Sequence, residues 1–452
     1  MKVSLQKVLP AGLQDRIKQS QSLQDILTNT GWLFADKIVR MGIGMFVGIW
    51  VARYLGPEQF GILNFAAAFV ALFGVVATLG LSSIVVRDLV KEPENANSIL
   101  GTAFILQFLS GMLAYTLVVI TIFFFQPDDS LVRFIVIVLG FVLVFKASEV
   151  AKYWFESQVM SKYTVWVENS VFLFMSITQV ILILNHAPLM GFVWVAVASG
   201  LSVSIGLIGV YSWRVGGISA WRFDFNRAKT LLKDSWPLLL SGMAIMVYMR
   251  IDQIMLGQML GSGAVGIYSA AVRISEVWYF IPMAIAASVF PSVIKIKKES
   301  EQDYIVRFQR LFNIMVMLGV VVAIPVTFFS DWIITQLFGS TYIKAGAVLI
   351  VHIWSGIFVS LGITSGMWLV NENLQRLAFY RTLVGAVVNI VANIFLIPYF
   401  GVVGAAVGTL LSQFIAAYLF DLFNTKTRAI FWMKTRAFYS FFLLIDKKGQ
   451  VP

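Results

Sequence analysis

The side chains best placed to do chemistry are ionisable groups set inside long apolar runs. Asp36, Lys37 and Arg40 interrupt the run 28–52, Arg250 and Asp252 the run 236–259, Arg273 and Glu276 the run 264–293, and His352 the run 345–370. A charge in hydrocarbon is costly, so each is expected to face a partner or a water-filled cavity. Asp36 and Arg40 are four residues apart and share a helix face, which permits a self-neutralising pair, and Lys37 then leaves a surplus positive charge. Arg250 and Asp252 are two apart and point to nearly opposite sides. Arg273 and Glu276 are three apart and share a face, so Arg273 can pair with Glu276 or bridge to Asp252 across the hairpin. Arg40, Arg250 and Arg273 fall at similar depth in the two halves of the chain. With Lys37 they form the candidate substrate-binding set, because guanidinium groups stay charged and bind pyrophosphate or carboxylate bidentately. Asp36, Asp252 and Glu276 are the acidic groups that can couple to a cation gradient or serve as charge partners. His352 can carry a proton or be a hydrogen-bonded packing residue.

Other chemistries lack their residues. There is no cysteine, which excludes thiolate catalysis and disulfides, and two scattered histidines supply no metal cluster. No phosphate-binding loop of the Walker type occurs. No metal, cofactor or catalytic residue is expected, and the chain reads as a carrier, not an enzyme.

The elements that must hold these side chains are membrane helices. Of 452 residues, 59% are hydrophobic and 13% charged, well away from the composition of soluble domains. Runs of spanning length fall at 28–52, 60–84, 98–125, 131–148, 169–185, 189–213, 236–259, 264–293, 311–329, 345–370, 378–399 and 401–423. The expected fold is therefore all-α and integral to the membrane, with twelve transmembrane helices in two six-helix lobes. The lobes are 28–213 and 236–423, joined by a cytoplasmic linker (214–235) that is the natural hinge. An amphipathic cytoplasmic N-terminus (1–27) precedes them and a basic cytoplasmic tail (424–452) follows. The apolar stretch in that tail, 437–445, is too short to span and is expected at the interface.

A repeat supports the two halves. Leu55-Gly-Pro-Glu-Gln-Phe-Gly-Ile-Leu-Asn-Phe-Ala66 and Leu260-Gly-Ser-Gly-Ala-Val-Gly-Ile-Tyr-Ser-Ala-Ala271 coincide at Leu55/Leu260, Gly56/Gly261, Gly61/Gly266, Ile62/Ile267 and Ala66/Ala271. Each copy lies between two apolar runs. One helical hairpin written twice is the construction used by alternating-access carriers.

The net charge of +11 is a topology signal and not a nucleic-acid surface. Of 34 Lys and Arg, 25 fall in the termini and the even-numbered loops, whereas Arg53, Arg133 and Lys344 mark the opposite side. This bias places both termini in the cytoplasm, with basic loops against anionic membrane lipids. All extracytoplasmic loops are short, which leaves no room for the external domain that a membrane glycan polymerase or transferase would need.

The chain over about 24–425 resembles the polysaccharide transport family, the lipid-linked oligosaccharide (O-antigen, Wzx-type) flippases of the MATE-like (MOP) exporter superfamily. Four segments carry the resemblance: Arg53-Tyr-Leu-Gly-Pro-Glu-Gln-Phe-Gly61, Gly80-Leu-Ser-Ser-Ile-Val-Val-Arg87-Asp88, Ile251-Asp-Gln-Ile-Met-Leu-Gly257 with the second hairpin, and Tyr399-Phe-Gly-Val-Val-Gly-Ala-Ala406. The resemblance implies two lobes around a central, typically cationic cavity, to which Arg40, Arg250 and Arg273 correspond by type and depth. It also implies movement of an undecaprenyl-pyrophosphate-linked glycan to the outer leaflet of a bacterial cytoplasmic (inner) membrane, for O-antigen, capsule or exopolysaccharide. A monomer is expected, with polysaccharide polymerase machinery as a possible partner. The alternatives are a cation-coupled multidrug exporter of the same superfamily, a peptidoglycan-precursor flippase, which usually carries two more helices, and a membrane glycan polymerase or transferase.

Overall fold

The computed structural model describes residues 21–446 apart from Lys298; of these, the side chains at 21–31, 33–36, 38, 39, 291 and 441–446 are outside the description. Asp36 is among them, so its expected pairing with Arg40 lies outside the described side chains, as does most of the amphipathic N-terminus.

Nearly every described residue is helical and no strand occurs among them. The helices are α1 (Gln21–Thr78), α2 (Ser82–Lys91), α3 (Ala96–Phe125), α4 (Ser130–Gly140), α5 (Glu149–Ser157), α6 (Lys162–Leu184), α7 (Leu189–Arg214), α8 (Phe225–Leu260), α9 (Ser262–Val277), α10 (Phe280–Lys297), α11 (Glu301–Phe338), α12 (Lys344–Asn371), α13 (Gln375–Ala417) and α14 (Arg428–Asp446). Among the described residues ten stretches are long and apolar enough to cross a membrane. Helix is the form in which an isolated segment satisfies its own backbone hydrogen bonds in hydrocarbon, and that makes this a multi-pass membrane protein.

Two of the ten stretches are bent at a glycine. Gly56 (φ 70, ψ 171) breaks α1, and Gly401 (φ 59, ψ −136) breaks α13. In α13 the limbs fold back on each other: a Cβ on Gly408 would strike the Asn393 side chain, fifteen residues earlier. In α1 the left-handed Gly56 ends one helix and Pro57 opens the next, a position where a missing N–H costs nothing. The repeat partner of Gly56 adopts the same conformation, Gly261 at φ 86 and ψ 177. The hairpin repeated in sequence is thus repeated in backbone geometry.

The chain forms two compact units, Met1–Gly48 with Phe73–Gly242, and Ile49–Leu72 with Met243–Pro452. In the first unit, Gln107 Nε2 donates to the Thr78 carbonyl (3.1 Å) and Ser110 Oγ to the Val76 carbonyl (2.6 Å), closing the carbonyls left open at the end of α1. The segment 214–235, expected as a link between halves, is docked on this unit. The Arg222 N–H donates to the Asn97 carbonyl (3.1 Å), Arg227 bridges Glu92 (2.6 Å), Arg87 bridges Asp234 (2.7 Å), and Leu231 is fully buried. Arg227 beside Glu92 holds that carboxyl below its ordinary range. The chain passes to the second unit at Gly242–Met243, inside α8.

In the second unit the two hairpin copies meet face to face. A Cβ on Gly61 would run into the Ser262 carbonyl, and one on Gly266 into the Pro57 carbonyl. The two contacts exchange under the repeat, because Pro57 and Ser262 are equivalent positions, as are Gly61 and Gly266. α1 and α9 therefore cross about a local pseudo-twofold axis, with their backbones in contact as small residues allow in membranes. The tail helix α14 packs Ile430, Met433 and Ala437 into the core that includes Phe308 and Phe312 of α11. Its fully buried Lys434 bridges Asp421 (2.5 Å), and burial pushes the ammonium down to about 8 against the pull of that carboxylate.

Candidate functional site

The sequence-selected residues divide between the units. Lys37 and Arg40 belong to the first, and Arg250, Asp252, Arg273, Glu276 and His352 to the second.

In the first unit Lys37 is exposed and Arg40 bonds to Glu168 of α6 (3.2 Å), its guanidinium 5.7 Å from the Phe172 ring. Glu168 also accepts from Lys152 of α5 (2.9 Å), and Lys146 bridges Glu149 (3.3 Å). Glu168, Lys152 and Glu156 were missed in the sequence because the fifth run was started at 169 and the fourth ended at 148. The helical path continues instead through a 3-10 turn at Lys146–Ser148 into α5, which keeps Glu149, Lys152 and Glu156 on one face, three and four residues apart. The span expected at 131–148 accordingly extends to Ser157.

The second unit holds a cluster built on α8 and α9. Arg250 and Arg273 both act electrostatically on Glu276, as does Asp252. Yet no ion pair forms among these four, so neither the Arg273–Glu276 pair nor the Asp252–Arg273 bridge is present. The guanidinium of Arg273 lies 5.5 Å from the Phe60 ring, and its Nη1 is buried with no hydrogen-bond partner. A buried charged donor left without a protein partner is a group that calls for an explanation. Its placement is set by the crossing: Phe60 precedes Gly61, and its ring packs on Tyr342 (6.4 Å), whose hydroxyl donates to the Ala52 carbonyl (2.7 Å).

Asp252 has different surroundings. It is buried, and its carboxylate accepts from Asn393 Nδ2 (2.6 Å), Thr409 Oγ1 (2.7 Å) and Tyr268 OH (2.8 Å), all neutral donors. Asn393 also bonds Asn389 (3.2 Å), while its own Oδ1 is buried and unpartnered. A carboxylate buried among neutral donors has hydrogen bonds but no opposite charge to offset its desolvation. His352 borders this network: its Nδ1 is 2.8 Å from Ser275 Oγ and its ring stands edge-on to Tyr268 at 6.0 Å. Asn389, Asn393, Thr409 and Tyr268 were missed because only histidine and residues charged at neutral pH were weighed. Two asparagines four apart in an apolar run were the available signal.

A family described as polysaccharide biosynthesis protein matches residues 26–297, and the MatE family matches residues 237–395. The chain is 26% identical over 405 residues to the probable low-salt glycan biosynthesis flippase Agl15 of Haloferax volcanii, covering 86% of this chain and 81% of that protein. Its fold is similar to an inward-facing multidrug resistance MATE family transporter of the MOP superfamily, with TM-score 0.67 and 14% identity over 91% of this chain and 96% of that one. It is similar also to the lipid II flippase MurJ in an inward closed conformation, with TM-score 0.65 and 15% identity over 94% of each chain.

Proposed function

The chain belongs to the polysaccharide biosynthesis protein family, and on that premise we propose that it is a flippase for a lipid-linked oligosaccharide destined for surface polysaccharide. The observation that carries this reading is the buried, unpartnered Nη1 of Arg273 beside Arg250. A phosphate or pyrophosphate linking a glycan to its polyprenyl carrier is the anion such a site suits. The finer reading is undecaprenyl pyrophosphate as the carrier. The protein then works as a monomer in a bacterial cytoplasmic membrane and hands its product to polymerase machinery. The path of the chain supports twelve crossings, with the stretches bent at Gly56 and Gly401 counted as two each. The charge bias supports both termini on the cytoplasmic side. Alternating access then moves the glycan from the cytoplasmic to the outer leaflet.

Asp252 is the coupling residue, taking up a proton or monovalent cation among Asn393, Thr409 and Tyr268, with His352 and Glu276 beside it. One complementation experiment tests both parts. A deletion strain should lose its surface glycan, accumulate the lipid-linked precursor and keep its susceptibility to cationic dyes. The wild-type gene should restore the glycan. Asp252→Asn, present in the membrane at normal level, should restore it at a rate lowered about 5–150-fold, as a coupling free energy of ~1–3 kcal/mol implies. A deletion strain with normal surface glycan and raised dye sensitivity would favour the drug-exporter reading instead. Full rescue by Asp252→Asn would remove Asp252 from the mechanism.

A further inference from the structure

The first unit has an open groove of about 480 Å³ between α6 and α7, lined by none of the residues of the two charge clusters, and within the size range of ligand sites. The two helices are antiparallel neighbours joined by the short turn 185–188. They approach closely at the groove floor, where a Cβ on Gly206 would lie 2.5 Å from Val167 Cγ1. Trp166 and Trp213 line it and are left 61% and 71% exposed, with the Trp166 ring edge-on to that of Trp32 at 6.2 Å. The first residue of α6, Lys162, and the last of α7, Arg214, stand together at one end.

Those two cations are held by aromatic rings and not by acids. The Arg214 guanidinium carbon is 4.0 Å from the Trp213 ring centroid and 4.8 Å from that of Tyr163, and Lys162 Nζ is 4.8 Å from Tyr163. Among the described residues neither forms an ion pair. Cation–π contacts orient a charge without neutralising it. The mouth is therefore a positioned double positive charge, and Val167, Val171 and Val210 along the groove offer only hydrocarbon. Tryptophan at such a boundary is typical of the level of lipid head groups.

We propose that this groove binds one anionic membrane phospholipid, its phosphate between Lys162 and Arg214 and an acyl chain along the valines. The occupant is a membrane lipid and not the glycan carrier, because the groove gives a sugar chain almost nothing to bond. The proposal rests on residues of the first unit alone and is independent of the flippase reading.

The test is native mass spectrometry of the purified full chain equilibrated with equimolar phosphatidylglycerol and phosphatidylcholine. The wild type should retain phosphatidylglycerol preferentially. The double variant Lys162→Gln/Arg214→Gln should lose that preference by roughly thirty-fold, the loss of two interfacial cations at ~1 kcal/mol each. Ser170→Trp, at an exposed position lining the groove, should fill the space and abolish retention. Unchanged preference in the double variant, or retained lipid in Ser170→Trp, would overturn the site. A polyprenyl phosphate that displaces phosphatidylglycerol from the wild type at lower concentration than phosphatidylglycerol itself requires would overturn the choice of occupant.

Discussion

Arg273→Ala is expected to leave the protein folded in the membrane while cutting delivery of the surface glycan by about 100-fold, the value of one or two charge-assisted hydrogen bonds at ~3 kcal/mol. The two effects separate because of where the Nη1 group stands. It is buried with no acceptor, so in the resting protein it has a desolvation cost and no compensating bond. Removing it should leave the melting temperature in detergent unchanged or higher, the usual trade between stability and a functional group. Arg40 provides the contrast. Its partner Glu168 is shared with Lys152, so Arg40→Ala leaves that carboxylate still paired, and transport should fall by less than with Arg273→Ala. The measurements are surface glycan per unit of membrane-resident protein, and the melting temperature of each variant. Arg273→Ala with a lowered melting temperature and normal glycan would make Arg273 a structural residue.

Gly61→Leu and Gly266→Leu are expected to remove the folded protein altogether, and to do so equally. At each position even a single added carbon would overlap a backbone carbonyl, that of Ser262 or of Pro57. A flexible side chain could move aside; two helix backbones in contact cannot. The cost of alanine at either site should therefore lie at or above the ~3 kcal/mol end of overpacking penalties, and leucine well beyond it. Because both glycines sit in one crossing, the double alanine variant should cost less than the sum of the singles, since the first substitution already forces the helices apart. Gly42→Ala serves as the control: a Cβ there meets nothing within 4 Å, and an exchange of glycine for alanine inside a helix should be neutral or gain up to about 1 kcal/mol. Size-exclusion profiles of solubilised protein read these variants. Monodisperse Gly61→Leu at normal yield would refute the close crossing.

Much of this architecture was legible in the sequence. Apolar runs reveal helices because hydrocarbon demands them, and the repeat at Gly56/Gly261 and Gly61/Gly266 identified the hairpin glycines before their conformations were seen. That the two copies cross each other, with Pro57 on Gly266 and Ser262 on Gly61, is a tertiary fact that no periodicity encodes. The same holds for the partition of Ile49–Leu72 into the second unit, since nothing in the apolar pattern of α1 changes at residue 48. Isolated charges in spans were easy to pick out, and Arg250, Arg273 and Glu276 do share one region. Their pairings were not readable: helical spacing allowed Arg273 to meet Glu276, but side-chain direction is decided by Phe60, which comes from the other hairpin. Asp252 was recognised as a buried acid, whereas its ring of Tyr268, Asn393 and Thr409 assembles from α9 and the two limbs of α13 and had no local signature.

The most direct measurement is the leaflet distribution of a fluorescent lipid-linked oligosaccharide in proteoliposomes of the purified protein, read by a membrane-impermeant quencher. A lipid-linked glycan flippase should make the inner-leaflet glycan accessible with time, at a rate dependent on protein and abolished by Arg273→Ala. A glycan that stays protected at the rate of protein-free vesicles, while the same vesicles expel a cationic dye, would contradict the account.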